Sequence, residues 1–518
     1  MSHPLQQQQQ PSVVVPGWWD RRIGTGAAVA AAGLYGLTAA WVTPRGPVTT
    51  LNALLAIGAG LLVGVIAALV MRSRWAMLLA PVTFVAVFEL ARIATVGPLV
   101  DGLHLGSTYG IVAFVLGRGL HGVLTVVPMI IGAALGAAAA RGLDGSRQIR
   151  TGRASVGRRA RAAVAGLAVL GLIALSVAVI RPARTDAIVS ADGEPMPGSV
   201  AELTRVPAGG HDLAVMIRGN SVDRPVLLYL AGGPGGSDIG AMRKHGQDLE
   251  KAFVVATLDQ RGTGKSYDNL DSTATLTLDA AVADVIDVTD YLRERFGRNK
   301  IYLVGNSWGS ILGVLAAQRH PELFHAFVGA GQMVSPRETD QIFYTDTLAW
   351  ARSTGNTQLE RQFVTSGLPP YTAMLDYEPA LTYEHQIYPY DDTLVAESAN
   401  GFSDNLFVAE YSLMEQLHGL AGFLDVFTVL YPQLQDIDFR TQVTELQVPV
   451  YLVQGRHEAR GRAEPAQQWF QLLDAPTKKM VIFELSGHRT LFQQPDLFYQ
   501  LMTTTVLAQT SWGHRAGG

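Results

Sequence analysis

The feature that most constrains this chain is an uncharged apolar stretch of 21 residues, LNALLAIGAGLLVGVIAALVM, at residues 51–71. A helix needs about 20 apolar residues to cross the roughly 30 Å hydrocarbon core of a bilayer. Further apolar stretches precede and follow it, and one cleaved signal peptide cannot account for all of them. The sequence therefore predicts an all-α transmembrane region over residues 23–181 with about five helices. The predicted spans are about 23–42, 51–71, 76–96, 121–140 and 162–180.

The fourth apolar stretch is longer than one span needs and is interrupted by Arg118 and His121. We interpret residues 111–140 as one span near 121–140, preceded by an interfacial or re-entrant piece. Two spans here would place the arginine-rich loop that follows on the outer side, which the positive-inside rule disfavours.

Arginine placement predicts the orientation of the spans. Arg21 and Arg22 precede the first span, and the loop at about 97–109 has no Lys or Arg. The loop before the fifth span carries seven arginines, namely Arg141, Arg147, Arg150, Arg153, Arg158, Arg159 and Arg161. The pattern predicts a multi-pass cell-membrane protein in contact with the lipid bilayer, with a cytoplasmic N-terminus. The chain after the fifth span is then extracytoplasmic.

The N-terminal part has two further features, a glutamine-rich tail and a pair of ionisable residues inside a predicted span. Residues 1–22 contain the run Gln6–Gln10 and are predicted to be a disordered tail. Glu89 and Arg92 stand three apart in the third span, on one helix face. Ionisable residues inside a membrane are functional candidates, but a mutually neutralised pair is the favoured interpretation.

From about residue 200 the pattern becomes that of a soluble α/β protein. Short apolar runs alternate with segments of helical periodicity, which indicates a parallel sheet covered by helices. LAVMIRG follows Gly209 and Gly210 and is predicted to be a hairpin arm. The predicted strands are 225–231, 253–259, 301–305, 325–331, 448–455 and 479–487, and the predicted helices are 277–296, 308–319, 463–473 and 490–507.

Residues 333–445 break this alternation, because they are rich in aromatic and turn residues and show no clear strand. We predict a mostly helical cap insertion over the carboxyl ends of the strands, where open α/β sheets bind ligands. The core of the domain would then comprise 185–332 and 446–518.

The motif GNSWG at 305–309 lies after a predicted strand and before a predicted helix. This is the setting of the nucleophile elbow, a tight turn that exposes a serine hydroxyl at the top of the sheet. The pattern predicts that Ser307 is the nucleophile and that the backbone N–H of Trp308 faces the developing oxyanion. An inert serine in an ordinary turn is the alternative.

A second glycine motif, AGGPGG at 231–236, directly follows a predicted strand. Glycines there let a backbone N–H approach the reacting carbonyl, so Gly232 and Gly233 are predicted to complete the oxyanion hole. A phosphate-binding loop is the alternative, but neither G-x-x-x-x-G-K-[ST] nor G-x-G-x-x-G is present.

The acid and the base follow from the chain order Ser, acid, His of this fold. His488 in SGHRT comes after the last predicted strand, and Glu458 comes just after the strand before it. We predict His488 as the base and Glu458 as the acid that orients it. The alternatives are His457 for the base and Glu464, Asp438 or Asp425 for the acid.

At this point the chain resembles the proline iminopeptidase (prolyl aminopeptidase) family of serine hydrolases. The resemblance covers about residues 200–510 and rests on AGGPGG, LDQRGTGKS, GNSWGS, GRHE and SGH, in that order. It implies an α/β-hydrolase fold, a Ser–acid–His triad, an oxyanion hole and a helical cap that reads the free N-terminal residue of a substrate.

Several positions depart from the family pattern. Ala231 replaces a histidine, Asn306 occupies the second elbow position, Glu458 replaces an aspartate, and Arg462 stands where a proline often follows. In the family, cap glutamates bind the amine of the substrate, and no motif selects among the candidates here. These are Glu338, Glu378, Glu384, Glu397, Glu410 and Glu415. Within DQRG we expect Asp259 and Arg261 to brace the fold.

The predicted function is a membrane-bound serine hydrolase that cleaves peptide or amide bonds through an acyl-enzyme, aminopeptidase-like on short peptides. The chain has no cysteine, which excludes disulfides, thiolate zinc sites and cysteine nucleophiles. No metal, cofactor or nucleic-acid partner is expected. One alternative is an esterase or lipase with the same triad. Another is a non-catalytic membrane sensor, or a binding domain associated with a transporter. A haloalkane dehalogenase would need Asp at the elbow.

Overall fold

The computed structural model describes residues 21–143, 156–270, 272–398 and 401–510. The predicted disordered tail lies outside them except for its last two residues, and so does the centre of the arginine-rich loop. The chain forms two compact units. The first comprises the described residues of Met1–Pro47, Leu51–Thr95 and Gly119–Val177, and the second comprises those of Val48–Thr50, Val96–Arg118 and Ala178–Gly518.

The N-terminal part of the chain is helical, as predicted. Among the described residues, four helical stretches are long and apolar enough to cross a membrane, at Arg22–Val42, Thr50–Met71, Thr108–Arg141 and Arg159–Ile180. The third predicted span is shorter than expected, because its helix has only 16 residues. The helices are α1 (Arg21–Val42), α2 (Thr50–Met71), α3 (Ala76–Ala91), α4 (Thr108–Phe114), α5 (Val127–Leu143) and α6 (Val156–Ile180).

The piece predicted to precede the fourth span is part of one nearly continuous helical stretch. Two π-helical segments, Val115–Gly119 and Gly122–Val126, join α4 to α5. The compact units divide this stretch, because residues up to Arg118 pack in the second unit and residues from Gly119 pack in the first.

Small residues bring the helices of the first unit close together. A Cβ on Gly64 of α2 would lie 2.0 Å from the carbonyl oxygen of Met129, and one on Gly132 of α5 would lie 2.0 Å from that of Leu61. Such close backbone approach is typical of helix packing in membranes. Glu89 and Arg92 form an ion pair of 2.5 Å, and Arg92 also donates to the carbonyl oxygen of Pro44.

The second unit contains an eight-stranded sheet within its described residues, in the order β1-β2-β4-β3-β5-β6-β7-β8. The predicted parallel strands are present, and the predicted hairpin arm makes the sheet a mixed one. The hairpin β1–β2 adds to β4 in the antiparallel sense, and the remaining neighbours are parallel. The strands are β1 (Val200–Ala208), β2 (His211–Gly219), β3 (Val226–Leu230), β4 (Val254–Leu258), β5 (Ile301–Asn306), β6 (Phe324–Ala330), β7 (Val450–Gly455) and β8 (Lys478–Phe483).

Helices cover both faces of the sheet, and side chains of each strand alternate between them. In β3, Leu228 and Leu230 pack into one buried cluster, whereas Leu227 and Tyr229 pack into the other. The helix predicted at 490–507 is broken, because Pro495 starts a new helix. The helices before the cap are α7 (Ile239–His245), α8 (Leu249–Ala252), α9 (Leu278–Phe296) and α10 (Trp308–Arg319).

Residues between β6 and β7 fold into helices, with no strand among those described. They are α11 (Pro336–Thr354), α12 (Thr357–Ser366), α13 (Met374–Thr382), α14 (Glu384–Ile387), α15 (Leu413–Leu430) and α16 (Phe439–Gln442). After β7 come α17 (Arg460–Leu472), α18 (Thr490–Gln493), α19 (Pro495–Gln500), a π-helical segment Leu501–Val506 and α20 (Leu507–Gln509). The carboxyl ends of β3, β4, β5, β7 and β8 therefore lead into the five motifs singled out in the sequence.

Candidate active site

Ser307 sits in a strained turn between β5 and α10. Its backbone has φ 53° and ψ −119°, in the positive-φ region that non-glycine residues rarely adopt. Both flanking glycines are required by close approach. A Cβ on Gly305 would lie 2.3 Å from the carbonyl oxygen of Gly309, and one on Gly309 would lie 2.3 Å from that of Leu230. The turn therefore has the geometry of a nucleophile elbow, and such strain is often found at functional sites.

The Ser307 hydroxyl points toward a methionine in this structure. Its Oγ donates to Sδ of Met333 at 3.7 Å, which is a weak contact. The backbone carbonyl of Ser307 accepts from the Ser310 hydroxyl at 2.5 Å, so the main chain of the elbow is held more firmly than the side chain. Catalytic hydrogen bonds are often long or misaligned without substrate, and rotation about χ1 would release Oγ from Met333.

His488 and Glu458 are in direct contact. Nδ1 of His488 lies 2.7 Å from Oε2 of Glu458. An ionised carboxylate can only accept, so Nδ1 carries the proton and Nε2 is free to accept one. Gly331 lies against the imidazole, because a Cβ there would come within 2.8 Å of Cε1 and Nδ1 of His488. The loop after β6 thus packs on the ring.

Glu458 is buried and held by three donors. Besides the imidazole, its Oε1 accepts from the backbone N–H of Ala459 at 2.9 Å and from Nε of Arg462 at 2.8 Å. Burial alone would raise its pKa. The charges of Arg462 and His488 outweigh burial and lower the pKa of the Glu458 carboxyl to about 2, so Glu458 is ionised at neutral pH. Arg462, noted in the sequence only as a departure, is the cation beside the predicted acid.

The predicted oxyanion groups meet at the same place. Gly232 and Gly233 line the cavity that Ser307 and His488 also line. Trp308 is the first residue of α10, where a backbone N–H has no acceptor in a preceding turn. Gln260 links the two glycine motifs, because it accepts from Nε1 of Trp308 at 2.7 Å and donates to the carbonyl oxygen of Ala231 at 3.0 Å. Gln260 lies inside DQRG, and its linking role was not predicted.

The structure places the other parts of DQRG as braces. Arg261 forms a buried ion pair of 2.6 Å with Asp284 of α9. Asp259 is fully buried and accepts from the backbone N–H of Lys265 and from the Tyr411 hydroxyl. Burial raises the pKa of Asp259 to about 7.

The contacts of the alternative acids are with groups other than the His488 imidazole. Glu464 lies on α17 with a side chain that is 45% exposed and paired to Arg460. Asp438 caps α16 and binds Arg440. Asp425 accepts from the Tyr267 hydroxyl.

The alternative base, His457, lies close to the predicted site. It lines the same cavity as Ser307 and stacks on the ring of Tyr390. Among the described residues, however, the imidazole that Glu458 contacts is that of His488.

The cavity above Ser307 has a volume of about 310 Å³, at the lower end of the range of about 300–1,000 Å³ typical of ligand pockets. Its wall is largely aromatic. The rings come mainly from the residues between β6 and β7, namely Phe343, Tyr344, Phe363, Tyr371, Tyr377, Tyr388, Tyr390, Phe423, Phe427 and Tyr431. One further ring belongs to Tyr109, far away in the sequence.

Three carboxylates also line the cavity, and two of them have cationic partners. Glu384 contacts Arg462. Asp238 accepts from Arg489 at 3.1 Å and from the Tyr229 hydroxyl at 2.9 Å. The third, Asp340, differs from these.

Asp340 is held by neutral donors in the described part of the chain. It accepts from the Tyr431 hydroxyl at 2.6 Å and from Nε2 of Gln435 at 3.1 Å. Burial raises its pKa to about 7. Asp340 therefore combines a position in the cavity wall with a carboxyl that forms no ion pair among the described residues, although the charge of Arg462 acts to lower its pKa.

The glutamates that the family resemblance suggested as amine-binding groups are engaged elsewhere. Of the six, Glu384 is the one that lines the cavity among the described residues, and Arg462 occupies it. Glu378 accepts from the backbone N–H of Thr108. The ion pairs of the other four are Glu338–Arg440, Glu397–Arg489, Glu410–Arg243 and Glu415–Lys265. No sequence motif pointed to Asp340, because its distinguishing feature is the set of neutral donors that the fold places around it.

Comparison with known families agrees with the fold. The family model described as alpha/beta hydrolase fold matches residues 225–495, which is more than half of the chain. The chain therefore belongs to the α/β-hydrolase family, and the predicted fold class is confirmed.

Curated relatives refine this assignment. The chain is 31% identical over 311 residues to the probable aminopeptidase YbaC of Bacillus subtilis (strain 168), covering 58% of this chain and 94% of that protein. It is 38% identical over 161 residues to a putative proline iminopeptidase of Mycoplasma genitalium, covering 28% of this chain and 49% of that protein. The chain thus spans about half the length of the latter relative. These matches confirm that the protein is a hydrolase enzyme.

A solved structure of a proline iminopeptidase-related protein from Thermus thermophilus is also similar. The identity is 20%, the TM-score is 0.41, and the match covers 60% of this chain and 98% of that one. At this level the likeness concerns the fold alone.

Proposed function

We propose that this hydrolase is a membrane-bound serine aminopeptidase that acts on short peptides with a free N-terminus. The observation that carries the proposal is the 2.7 Å contact of His488 with the ionised Glu458, in the cavity where Ser307 occupies a strained elbow. In this proposal Ser307 is the nucleophile, His488 the general base and then acid, and Glu458 the group that orients the imidazole.

The first half of the reaction forms an acyl-enzyme. Oγ of Ser307 turns from Met333 toward Nε2 of His488, gives up its proton and attacks the carbonyl carbon of the substrate. The carbonyl π electrons move onto oxygen, and the backbone N–H groups of Trp308 and Gly233 stabilise the oxyanion. The oxyanion then collapses, the C–N bond breaks, and His488 returns the proton to the leaving amine.

The second half releases the acyl group. A water molecule gives a proton to Nε2 of His488 and attacks the ester carbon. When this tetrahedral intermediate collapses, the proton returns to Oγ of Ser307 and the free amino acid leaves. Glu458 stays ionised throughout, which stabilises the imidazolium that forms twice in each cycle.

The preference for a free N-terminus rests on Asp340. Among the described residues this buried carboxyl forms hydrogen bonds to neutral donors and no ion pair, so a substrate ammonium would be a direct cationic partner, and a charge-assisted hydrogen bond is about twice as strong as a neutral one. Of the three cavity carboxylates, Arg462 and Arg489 neutralise two, which leaves Asp340 as the one that a substrate ammonium would meet. The relatives described as aminopeptidases support the same substrate class.

The test compares three matched substrates on the full-length protein, namely an aminoacyl arylamide, its N-acetyl derivative and the corresponding amino acid ester. We expect the free-amine arylamide to exceed the N-acetyl compound in kcat/KM by at least tenfold, since acetylation removes the ammonium charge. Equal rates for these two would contradict the amine preference. A fluorophosphonate probe should label Ser307, and absence of labelling would contradict the serine mechanism.

An esterase with the same triad is the second candidate, and the aromatic cavity wall favours it because such a wall accepts an apolar acyl group. The same substrates, together with the N-acetylated ester, decide between the two. An esterase would hydrolyse the N-acetylated ester at least as fast as the free-amine ester and would leave both arylamides nearly intact.

The membrane part of the proposal concerns orientation. We infer that the hydrolase unit is extracytoplasmic and the arginine-rich loop cytoplasmic. The grouping of Val96–Arg118 with Ala178–Gly518 in one compact unit supports this topology. Those two segments must lie on one side of the bilayer, and two spans between them bring the chain back to that side.

Cysteine labelling tests the topology, because the natural chain has no cysteine. Ala191→Cys and Gly106→Cys should both react with a membrane-impermeant maleimide on intact cells, whereas Arg153→Cys should react only after permeabilisation. Residues 106 and 191 are exposed, and a Cβ at Gly106 meets open space. Labelling of residue 153 from outside would contradict the five-span topology.

A further inference from the structure

The segment Val96–Arg118 joins two apolar helices in the chain, yet it packs in the unit that contains the sheet and the cavity. It lies outside residues 225–495, which the family model matches. The segment is therefore an addition to the hydrolase core, and its position raises the question of what it contributes to the site.

The segment is braced internally. Arg118 donates to the carbonyl oxygens of Val100 and Asp101 at 2.8 and 2.9 Å, which ties its end to its beginning. The Ser107 hydroxyl caps α4 by accepting from the backbone N–H of Gly110. A Cβ on Gly117 would lie 2.2 Å from the carbonyl oxygen of Leu99. The segment is thus a compact loop and helix rather than an extended linker.

Apolar burial anchors the segment to the hydrolase. Leu99, Val100, Ala113 and Leu116 are 1–7% exposed and belong to the same buried cluster as residues of α13, α15 and the sheet. One polar contact also joins the segment to α13, because the backbone N–H of Thr108 donates to Oε1 of Glu378 at 2.7 Å.

Tyr109 is the residue of the segment that reaches the cavity. Its ring lines the cavity together with Ser307 and His488, and it meets Phe423 edge to face with centroids 6.0 Å apart. From Phe423 the aromatic wall continues to Phe427 and then to Tyr431, whose hydroxyl binds Asp340. A continuous row of rings therefore runs from Tyr109 to the carboxylate that we assign to the substrate amine.

We propose that Tyr109 is a specificity-determining residue that closes the pocket for the side chain of the N-terminal substrate residue. This inference rests on the proposed function, because it takes Asp340 as the amine site. With the substrate ammonium at Asp340, the row of rings faces the side chain of the N-terminal substrate residue. Tyr109, at the far end of the row, then limits the size of the side chain that fits. The segment between the apolar helices would then serve as one wall of the active site.

The test uses full-length protein and two arylamides, one with a small (alanyl) and one with a large (phenylalanyl) N-terminal residue. Tyr109→Ala should shift the ratio of kcat/KM toward the large residue by roughly tenfold or more, the scale at which pocket size discriminates side chains. Tyr109→Trp should shift it the other way. Ile111→Ala on the exposed side of α4, where Ile111 is 47% exposed, is the matched control and should leave the ratio within about twofold of wild type, as expected for a side chain outside the pocket.

The rate at which a fluorophosphonate labels Ser307 separates the possible failures. If Tyr109→Ala labels at the wild-type rate but keeps the wild-type ratio, the inference is wrong while the proposed function stands. If wild-type protein neither labels nor hydrolyses the arylamides, the proposed function itself fails.

A crosslink tests the docking without activity. In the cysteine-free chain, Tyr109→Cys with Phe423→Cys should be joined in membranes by a short bis-maleimide, which adds both thiols, as detected by mass spectrometry of proteolytic fragments. Absence of the crosslink, with both single variants reacting with the reagent, would overturn the placement of the segment.

Discussion

The proposed catalytic side chains and the cavity wall are held in different ways. Glu458 is fixed by an imidazole, a guanidinium and a backbone N–H, and Ser307 is fixed by the turn between β5 and α10. The wall consists mainly of aromatic rings that pack against one another, and five of its tyrosine hydroxyls also form hydrogen bonds. Directional polar contacts suit groups that must keep one geometry for chemistry. Ring packing allows the shape of the pocket to change without moving the triad.

This contrast predicts that substitutions among the catalytic residues change kcat, whereas substitutions in the wall change KM and selectivity. Each test below either separates the two regions or shows that they act together.

The largest effect is expected for Ser307→Ala. Loss of a triad nucleophile costs on the order of 10⁶ in rate in serine proteases, and the elbow accepts a smaller side chain. We expect no fluorophosphonate labelling and an unchanged thermal unfolding temperature. Activity near the wild-type level would reject the mechanism.

The next effect is expected for Glu458→Gln, which removes the charge beside His488 while keeping the shape. We expect kcat to fall about 10³- to 10⁴-fold with little change in KM, as for loss of a triad acid elsewhere. Glu464→Gln on α17 is the matched control and should change kcat by less than about twofold, because exposed ion pairs contribute little. Glu458→Asp keeps the charge but shortens the side chain, so partial activity is expected. A damaging Glu464→Gln with a mild Glu458→Gln would overturn the assignment of the acid.

Asp340→Asn tests the wall. Loss of a charge-assisted contact worth about 1.5–3 kcal/mol corresponds to a rise in KM of roughly 10- to 100-fold for free-amine arylamides. The N-acetyl substrate should be unaffected, and kcat should stay near wild type.

Because burial raises the pKa of Asp340 to about 7, the carboxyl ionises only as pH rises through about 7. KM of the wild type should therefore fall over that interval, and Asp340→Asn should remove this dependence. A KM independent of residue 340 would mean that the amine binds elsewhere.

The last prediction concerns stability. The folded pKa of Asp340 lies above its ordinary value of 3.8, so the unfolded chain ionises first as pH rises. The contribution of Asp340 to stability is complete below about pH 4 and is lost progressively toward about pH 7. Relative to Asp340→Asn, the wild-type unfolding temperature should therefore decline between about pH 4 and 7. A constant difference across that interval would contradict the raised pKa.

Much of the fold could be predicted because its signals are local. The helical periodicity over 277–296 corresponds to α9, and the fold class follows from motifs whose order is a property of the chain. The errors have local physical causes. The periodicity predicted the parallel strands and the hairpin arm, but not that the hairpin β1–β2 joins β4 in the antiparallel sense, which makes the sheet mixed. The last helix was predicted as continuous although Pro495 cannot donate the backbone hydrogen bond that a helix interior needs.

The sequence by itself determined which residues could carry the chemistry. The glycines of GNSWG permit a tight turn in which backbone segments pack too closely for side chains. Glu458 and His488 follow two neighbouring strands, whose carboxyl ends lie at the same edge of the sheet. Such placements depend on neighbours in the chain or on strand order. Only the tertiary structure decided the environment of each charge, with Arg462 beside Glu458 and neutral donors around Asp340. It alone brought Tyr109 to the cavity, because contacts between distant segments depend on packing that no local pattern encodes.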